Sequence, residues 1–381
     1  MATSWQRGIA ILTGIYVSRM LGLFMVFPVF SLYASELAGA NKTLVGVALG
    51  IYGLSQGLLQ LPCGWLSDRF GRKPVIAAGL LLFVAGSLLA ATATTITMMI
   101  AARAVQGMGA IAAVTLAYAT DITPGEKLGK VMAILGGSIG MAFVLSLIIG
   151  PLVAAWIGVA GLFYLIALIA GLALVASLRL PPVPTRPQTA ATGHYDKRQL
   201  MQAAAAIFFL HGVFTATFLV LPPLLVDAGI AKANHWWLYL PANLVALCFM
   251  RVKATPHPLN FGISYLLLAI GTGLLAMPFG TWWLLFALSI YFIAFYRLET
   301  GLPHWVAHIA SPDARGQAMG LYSSAQFLGS FCGGAVAGRL WHNLPPATVL
   351  LPLVAACACA ALLLLKIGKT TTLRAATHSN S

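Results

Sequence analysis

At 381 residues, 60% hydrophobic, 8% charged and with a mean hydropathy of +0.91, the chain is far too apolar for a water-soluble protein and leaves no soluble domain of useful size. A formal net charge of +14 would ordinarily raise a nucleic-acid partner, but the bases are sorted by side along the chain and so report membrane topology. The five cysteines, an odd number, all lie in or beside apolar runs, which predicts no disulfide framework.

Apolar runs able to cross a hydrocarbon core of about 30 Å number about twelve: 8–33, 43–63, 74–93, 96–119, 130–153, 157–179, 199–222, 234–250, 259–278, 281–304, 316–338 and 347–366. The eighth is the shortest. With the amino terminus inside, Arg7, Arg69, Arg72, Lys73, Lys127, Lys130, Arg179, Arg186, Lys197, Arg198, Arg251, Lys253, Arg315, Lys366, Lys369 and Arg374 fall on the cytoplasmic side. Only Lys42, Lys232 and Arg339 fall outside. That asymmetry is the positive-inside pattern of an even number of spans, so both termini are expected in the cytoplasm. Met1 to Gly8 is a short, weakly basic head, and the first span is expected to be retained as a membrane helix.

The first run carries Arg19 well inside it, about 16 Å from its start at the helical rise. An arginine near the bilayer centre costs about 2.5–3.5 kcal/mol on insertion scales, so it should face a polar cavity or a partner, the alternative being snorkelling to the interface. Pro28 should bend the outer half. In the second run Gly46, Gly50, Gly53 and Gly57 form a small-residue stripe that lets another helix approach closely. A charged turn follows at a membrane surface, Gly64-Trp65-Leu66-Ser67-Asp68-Arg69-Phe70-Gly71-Arg72-Lys73-Pro74. Gly64 and Gly71 permit tight backbone there, and Asp68 can cap a helix end or bond Arg69 or Arg72.

Arg103 and Gln106 of the fourth run lie three apart and share a helix face, a polar patch at membrane depth; Arg103 could alternatively bind backbone carbonyls of a neighbour. Between Leu180 and Gln199 proline, small polar residues and bases dominate, which reads as a cytoplasmic linker between two halves. A faint parallel repeat crosses it: Glu126-x-x-Gly129-Lys130-Val131-Met132-Ala133 matches Asp313-x-x-Gly316-Gln317-Ala318-Met319-Gly320 at a constant offset, 313 − 126 = 187. His211 lies in the seventh run, where a lone histidine is more often a packing residue, and Trp236, Trp237, Trp282 and Trp283 suit an interfacial belt. Of the eight acids, only Glu299 lies clearly within a span. Desolvation favours the neutral form of a carboxyl group, so an acid at that depth is a candidate proton carrier; the alternative is a static ion pair, for instance with Arg19. His304 and His308 are four apart, but no third ligand lies near, and neither a metal nor any other cofactor is expected. No phosphate-binding loop or nucleophile signature is present, against an ATP-driven pump or a membrane enzyme.

The segment from Gly64 to Lys73 resembles the loop between the second and third helices of the major facilitator superfamily, and Arg103-Ala104-Val105-Gln106-Gly107-Met108-Gly109-Ala110 resembles that family's fourth-helix motif. Arg-Met-Leu-Gly from Arg19 and Leu-Glu-x-x-Leu-Pro from Leu298 are similar to the YajR-like branch of its drug:proton antiporters. The fifth run, with Gly137, Ser146, Gly150 and Pro151, is similar to the antiporter signature, although Ser146, Ala154 and Ala155 stand where that pattern has glycine.

The resemblance implies an all-α, polytopic fold of twelve transmembrane helices in two pseudo-symmetric six-helix bundles, 1–180 and 199–367, joined by a linker at 181–198 and followed by a tail at 368–381. Spans one, four, seven and ten would surround a central cavity lined by Arg19, Arg103, Gln106, His211, Tyr291 and Glu299. Glu299 would exchange a proton, with Arg103 and Arg19 setting its affinity and the substrate's charge preference. Asp121 would join Asp68 and Arg72 in a gate that also includes Gly64, Arg69, Gly71 and Lys73. The implied function is secondary transport, proton-coupled efflux of small amphipathic or hydrophobic compounds by a monomer in a bacterial inner membrane. Its partners would be the substrate, protons and the lipid bilayer, and no nucleic acid. A metabolite or sugar exporter, or an uncoupled facilitator, would share the fold; a non-transporting receptor or a lipid scramblase would be a different class.

Overall fold

The computed structural model describes residues 4–181, 193–249, 257–277, 279–311 and 314–379, and these fold into helices with no strand among the described residues. In order they are α1 (Ser4–Phe24), α2 (Phe30–Ala34), α3 (Lys42–Phe70), α4 (Arg72–Ala91), α5 (Ile96–Met108), α6 (Ala112–Ile122) and α7 (Leu128–Ser177). The second half comprises α8 (Lys197–Asp227), α9 (Trp236–Phe249), α10 (Pro258–Leu275), α11 (Thr281–Ile309), α12 (Arg315–Asn343) and α13 (Pro346–Ser379).

These helices make twelve crossings once local chemistry is taken into account. α1 and α2 are one crossing interrupted around Pro28, whose ring removes a backbone donor and collides with the carbonyl four residues earlier. α5 and α6 are another, broken at Gly109–Ile111. α7, at 50 residues, is about 75 Å of helix and must cross twice. Its two limbs join at Gly158, whose φ of +73° lies where only glycine sits without strain. α9 is short at 14 residues, and the bases Arg251 and Lys253, like Asp313 of the repeat, lie outside the described residues. The repeat itself appears in the helix starts, since α7 begins at Leu128 and α12 at Arg315, again 315 − 128 = 187.

The charged turn expected between the second and third spans is almost wholly helical. α3 runs through Phe70 and α4 starts at Arg72, so the connection is the single residue Gly71, at φ +92°. Asp68 therefore lies inside a helix and does not cap one; Ser67 turns its hydroxyl back onto the Gly64 carbonyl at 2.7 Å, and Asp68 pairs with Arg72 one turn on.

α1 packs on α7, and α3 and α4 on α5; in the second half α10 packs on α11 and α13, and α9 on α11. The halves meet where α3 lies along α12 and α7 touches α9. Lipid tails are as apolar as leucine, so helices associate here through close contact and not through expulsion of water. Glycine supplies that contact. A Cβ at Gly46 would stand 2.2 Å from the Gly334 carbonyl oxygen, and Gly50 and Gly53 abut the backbone of Phe331 and Phe327. On its other flank α12 sets Gly329 and Gly333 against the Phe208 and Gly212 carbonyls of α8.

From mid-depth toward the end remote from the termini, aromatic rings close the space between the halves. Phe27 meets Phe214 with ring centroids 5.1 Å apart, and Phe143 stacks on Phe295 at 5.7 Å. Lys232 and Glu36 pair across that end at 3.1 Å. The end bearing the termini is less filled: between Gly129 and Met141 only Val131 and Leu135 are buried, and a Cβ at Gly136, Gly137 or Gly140 would meet nothing. Along the first limb of α7, then, the part toward the remote end is packed and the part nearer the termini is exposed.

Replacing Gly46 by alanine should therefore lower thermal stability in detergent by about 1–3 kcal/mol, the usual range for overpacking. Gly136→Ala, in open helix, should raise it by about 0.5–1 kcal/mol. Equal melting temperatures for the two variants would contradict the packing described.

Candidate functional site

Glu299 projects from α11 with its side chain 30% exposed, one helical turn from Phe295 of the aromatic closure. Its Oε2 lies 2.9 Å from Nε2 of His211 on α8, and Gln326 of α12 donates to its Oε1 at 3.2 Å. The Gln326 amide is also 2.8 Å from the same His211 nitrogen. One proton completes the histidine–glutamate bond. On the ring it is an N–H donating to a carboxylate; on the carboxyl it is an O–H donating to the ring. The two placements are not equivalent, because the Gln326 amide nitrogen only donates and meets an acceptor at Nε2 only when the proton is on the carboxyl.

The arginines of the first half lie elsewhere. Arg19 is 2% exposed and donates through Nη2 to the Tyr52 hydroxyl at 3.1 Å and to Gln56 Oε1 at 3.0 Å, with its guanidinium 5.4 Å from the Phe83 ring centre. Arg103 is fully buried, donates through Nη1 to Gln106, and lies 4.9 Å over the Tyr52 ring. Gln106 in turn donates to Ser87 Oγ at 2.8 Å. α1, α3, α4 and α5 thus close around one polar network with Tyr52 at its centre.

The structure therefore brings the expected cavity residues together as two groups. Glu299 pairs with His211 and not with Arg19, because α1 turns Arg19 toward α3 while α8 places His211 opposite α11. His211 is a polar partner, which its solitary position in an apolar run did not disclose. Tyr16, three residues before Arg19 on α1, is buried against Met20, Ala112 and Ala142. Tyr291 is fully buried, with its backbone against Gly271 of α10. Gln326, Tyr52, Gln56 and Ser87 escaped the sequence reading; the available signal was a hydrogen-bonding side chain inside an apolar run.

At the end bearing the termini Arg72 bonds Asp68, donates to Ser67 Oγ at 2.6 Å, and reaches Asp121 of α6 at 3.1 Å. Lys73 donates to the Leu178 carbonyl at 2.6 Å, and Arg69 lies 5.6 Å from the rings of Trp65 and Phe70. Gly64 has open space where a side chain would stand. In α7, Gly150 meets the Met25 carbonyl oxygen and Ser146 Oγ lies 3.4 Å from the Leu21 oxygen, with Pro151 buried next to them; Gly137 makes no such contact.

A family model described as Major Facilitator Superfamily matches residues 12–255. The inner membrane transport protein YajR of Escherichia coli K12 is 35% identical over 345 residues, 86% of this chain and 76% of YajR. The multidrug resistance protein MdtL of Klebsiella pneumoniae is 30% identical over 187 residues, 48% of this chain and 47% of that one. Among solved structures, the human organic anion transporter MFSD10 superposes with a TM-score of 0.73 over 95% of this chain and 100% of its own, at 18% identity, a likeness that speaks to the fold alone.

Gln106→Leu removes the acceptor that Arg103 uses, and should cost about 1.5–3 kcal/mol in thermal unfolding, as for a hydrogen bond to a charged group. Ser87→Ala, which strands only a neutral amide, should cost about 1 kcal/mol. The order of the two is the test.

Proposed function

Because this chain belongs to the Major Facilitator Superfamily, a family of multi-pass membrane transporters of small molecules, we propose that it is a secondary carrier coupling proton movement to the efflux of small amphipathic or hydrophobic compounds. The observation that supports this most directly is the Glu299–His211 pair, held at 2.9 Å beside the aromatic closure with the carboxylate side chain 30% exposed. A carboxylate there changes the charge of the pathway when it binds a proton. The names of MdtL and of the tetracycline resistance protein class H, 32% identical over 156 residues, favour efflux of drug-like compounds.

In this reading residues 1–180 and 199–367 are the two rocking bodies, 181–198 is the linker and 368–381 a tail, with both termini in the cytoplasm of a bacterial inner membrane. The conformation is then inward-open, and the carrier works as a monomer. Proton uptake at Glu299 from the outside and release to the inside would bias which end opens. Arg19 and Arg103 do not share that proton, since neither is bonded to the pair. Asp68, Arg72 and Asp121 would re-pair as the inner end closes; exposed pairs contribute only about 0–1 kcal/mol each, so they can exchange partners readily.

The test is flux in proteoliposomes. Glu299→Gln should abolish accumulation driven by an imposed pH gradient while saturable counterflow persists, and His211→Ala should shift the pH at which driven flux is half-maximal. Uphill movement retained by Glu299→Gln would refute the proton role, and wild-type flux indifferent to the gradient would mark an uncoupled facilitator.

A further inference from the structure

Arg19 and Arg103 are the charges that the proton reading leaves unused. Among the described residues the ion pairs engage Glu36, Asp68, Asp121 and Glu299, none with either of these arginines. Asp196 caps α8, while Glu126 and Asp227 are exposed at helix ends. Two guanidiniums, 2% and 0% exposed, thus meet one tyrosine, Arg19 at the Tyr52 hydroxyl and Arg103 over its ring, with no carboxylate among the described residues bonded to either. Buried charge without a counter-charge is costly, and more so at membrane depth.

The donors in use indicate what would match them. Arg19 commits only Nη2, and Arg103 only Nη1. Nε and Nη1 of Arg19, and Nε and Nη2 of Arg103, have no hydrogen-bond partner among the described residues. In Arg103 the unused pair is the side-on edge of the guanidinium, two parallel N–H groups spaced for two oxygens of a single oxyanion. The rings of Phe30 and Tyr52 lie over that arginine and Phe83 over Arg19, so apolar surface borders the unused donors.

We infer that Arg103, with Arg19 as the second charge, receives the oxyanion of the transported compound, a carboxylate, sulfonate or phosphate ester on an apolar body. The substrate class is therefore an organic anion. Tyr52, whose hydroxyl bonds Arg19 and whose ring lies on Arg103, is the side chain that must turn aside to admit it. The inference rests on the transporter reading but not on the proton role of Glu299.

Equilibrium binding without a pH gradient keeps the two apart. The full chain in phosphatidylcholine nanodiscs, at constant ionic strength, is titrated with benzoate, benzenesulfonate and phenyl phosphate, and with benzyl alcohol and benzylammonium as neutral and cationic counterparts. Inorganic phosphate alone and nanodiscs containing phosphatidylglycerol complete the set. Melting temperature should rise saturably with the aryl anions and not with the neutral or cationic probes. Arg103→Lys, which keeps the charge and loses the fork, should weaken aryl-anion binding by about tenfold. Equal stabilisation by benzylammonium would overturn the inference. So would inorganic phosphate matching the aryl anions, which would mark a structural ion, or phosphatidylglycerol replacing their effect, which would mark a lipid headgroup. Undiminished binding by Arg103→Lys would overturn it too, and should that variant fail to fold, the probe series on the unaltered chain decides. Aryl-anion binding without proton-driven flux would refute the coupling and leave this inference standing.

Discussion

A polar group inside a bilayer has no water to return to, and that constraint organises everything else in this molecule. It forces the backbone into helix, it makes a buried side chain with a proton to donate costly unless it finds an acceptor within the protein, and it leaves the few ionisable groups at depth as the costliest features of the fold. Most of the polar atoms meet the demand locally. Serines and threonines return their hydroxyls to carbonyls three or four residues back, as Ser18, Ser87, Thr115 and Thr272 do. Those bonds solve a solvation problem and carry no message about transport.

What remains after such bonds are counted is uneven. The second half holds an acid matched to a base, with an amide touching both, next to open space; the first half holds two cations matched to amides, a phenol and ring faces. The halves are related by a repeat, yet their buried charges differ in kind: an acid beside a histidine in one, two guanidiniums in the other.

How far this was legible in the chain depended on the range of the interaction. Pro28 signalled its own break, and the spacing of Gly46, Gly50, Gly53 and Gly57 predicted a close neighbour, because both effects act within one helix. The charged stretch after Cys63 misled, since hydrophobicity marks where lipid ends and not where a helix ends; Ser67 and Asp68 find partners without leaving helical geometry. Glu299 was visible as an acid in an apolar run, but its partner was not. Choosing His211 over Arg19 requires knowing that α8, and not α1, presents its polar face to α11. Gln326 was missed for the same reason, being one amide on a helix whose other small and polar residues serve contact.

The glycine seam carries a mechanical consequence. Where two helices interlock by side chains, each knob must climb out of its socket before one rod can shift along the other, and motion proceeds in jumps of a turn. Where main chain rests on main chain, as α12 rests on both α3 and α8, there are few teeth to disengage. α12 is accordingly held on two flanks by main-chain contact with few side-chain teeth, and bulk added at its glycines would act as a wedge between it and both neighbours.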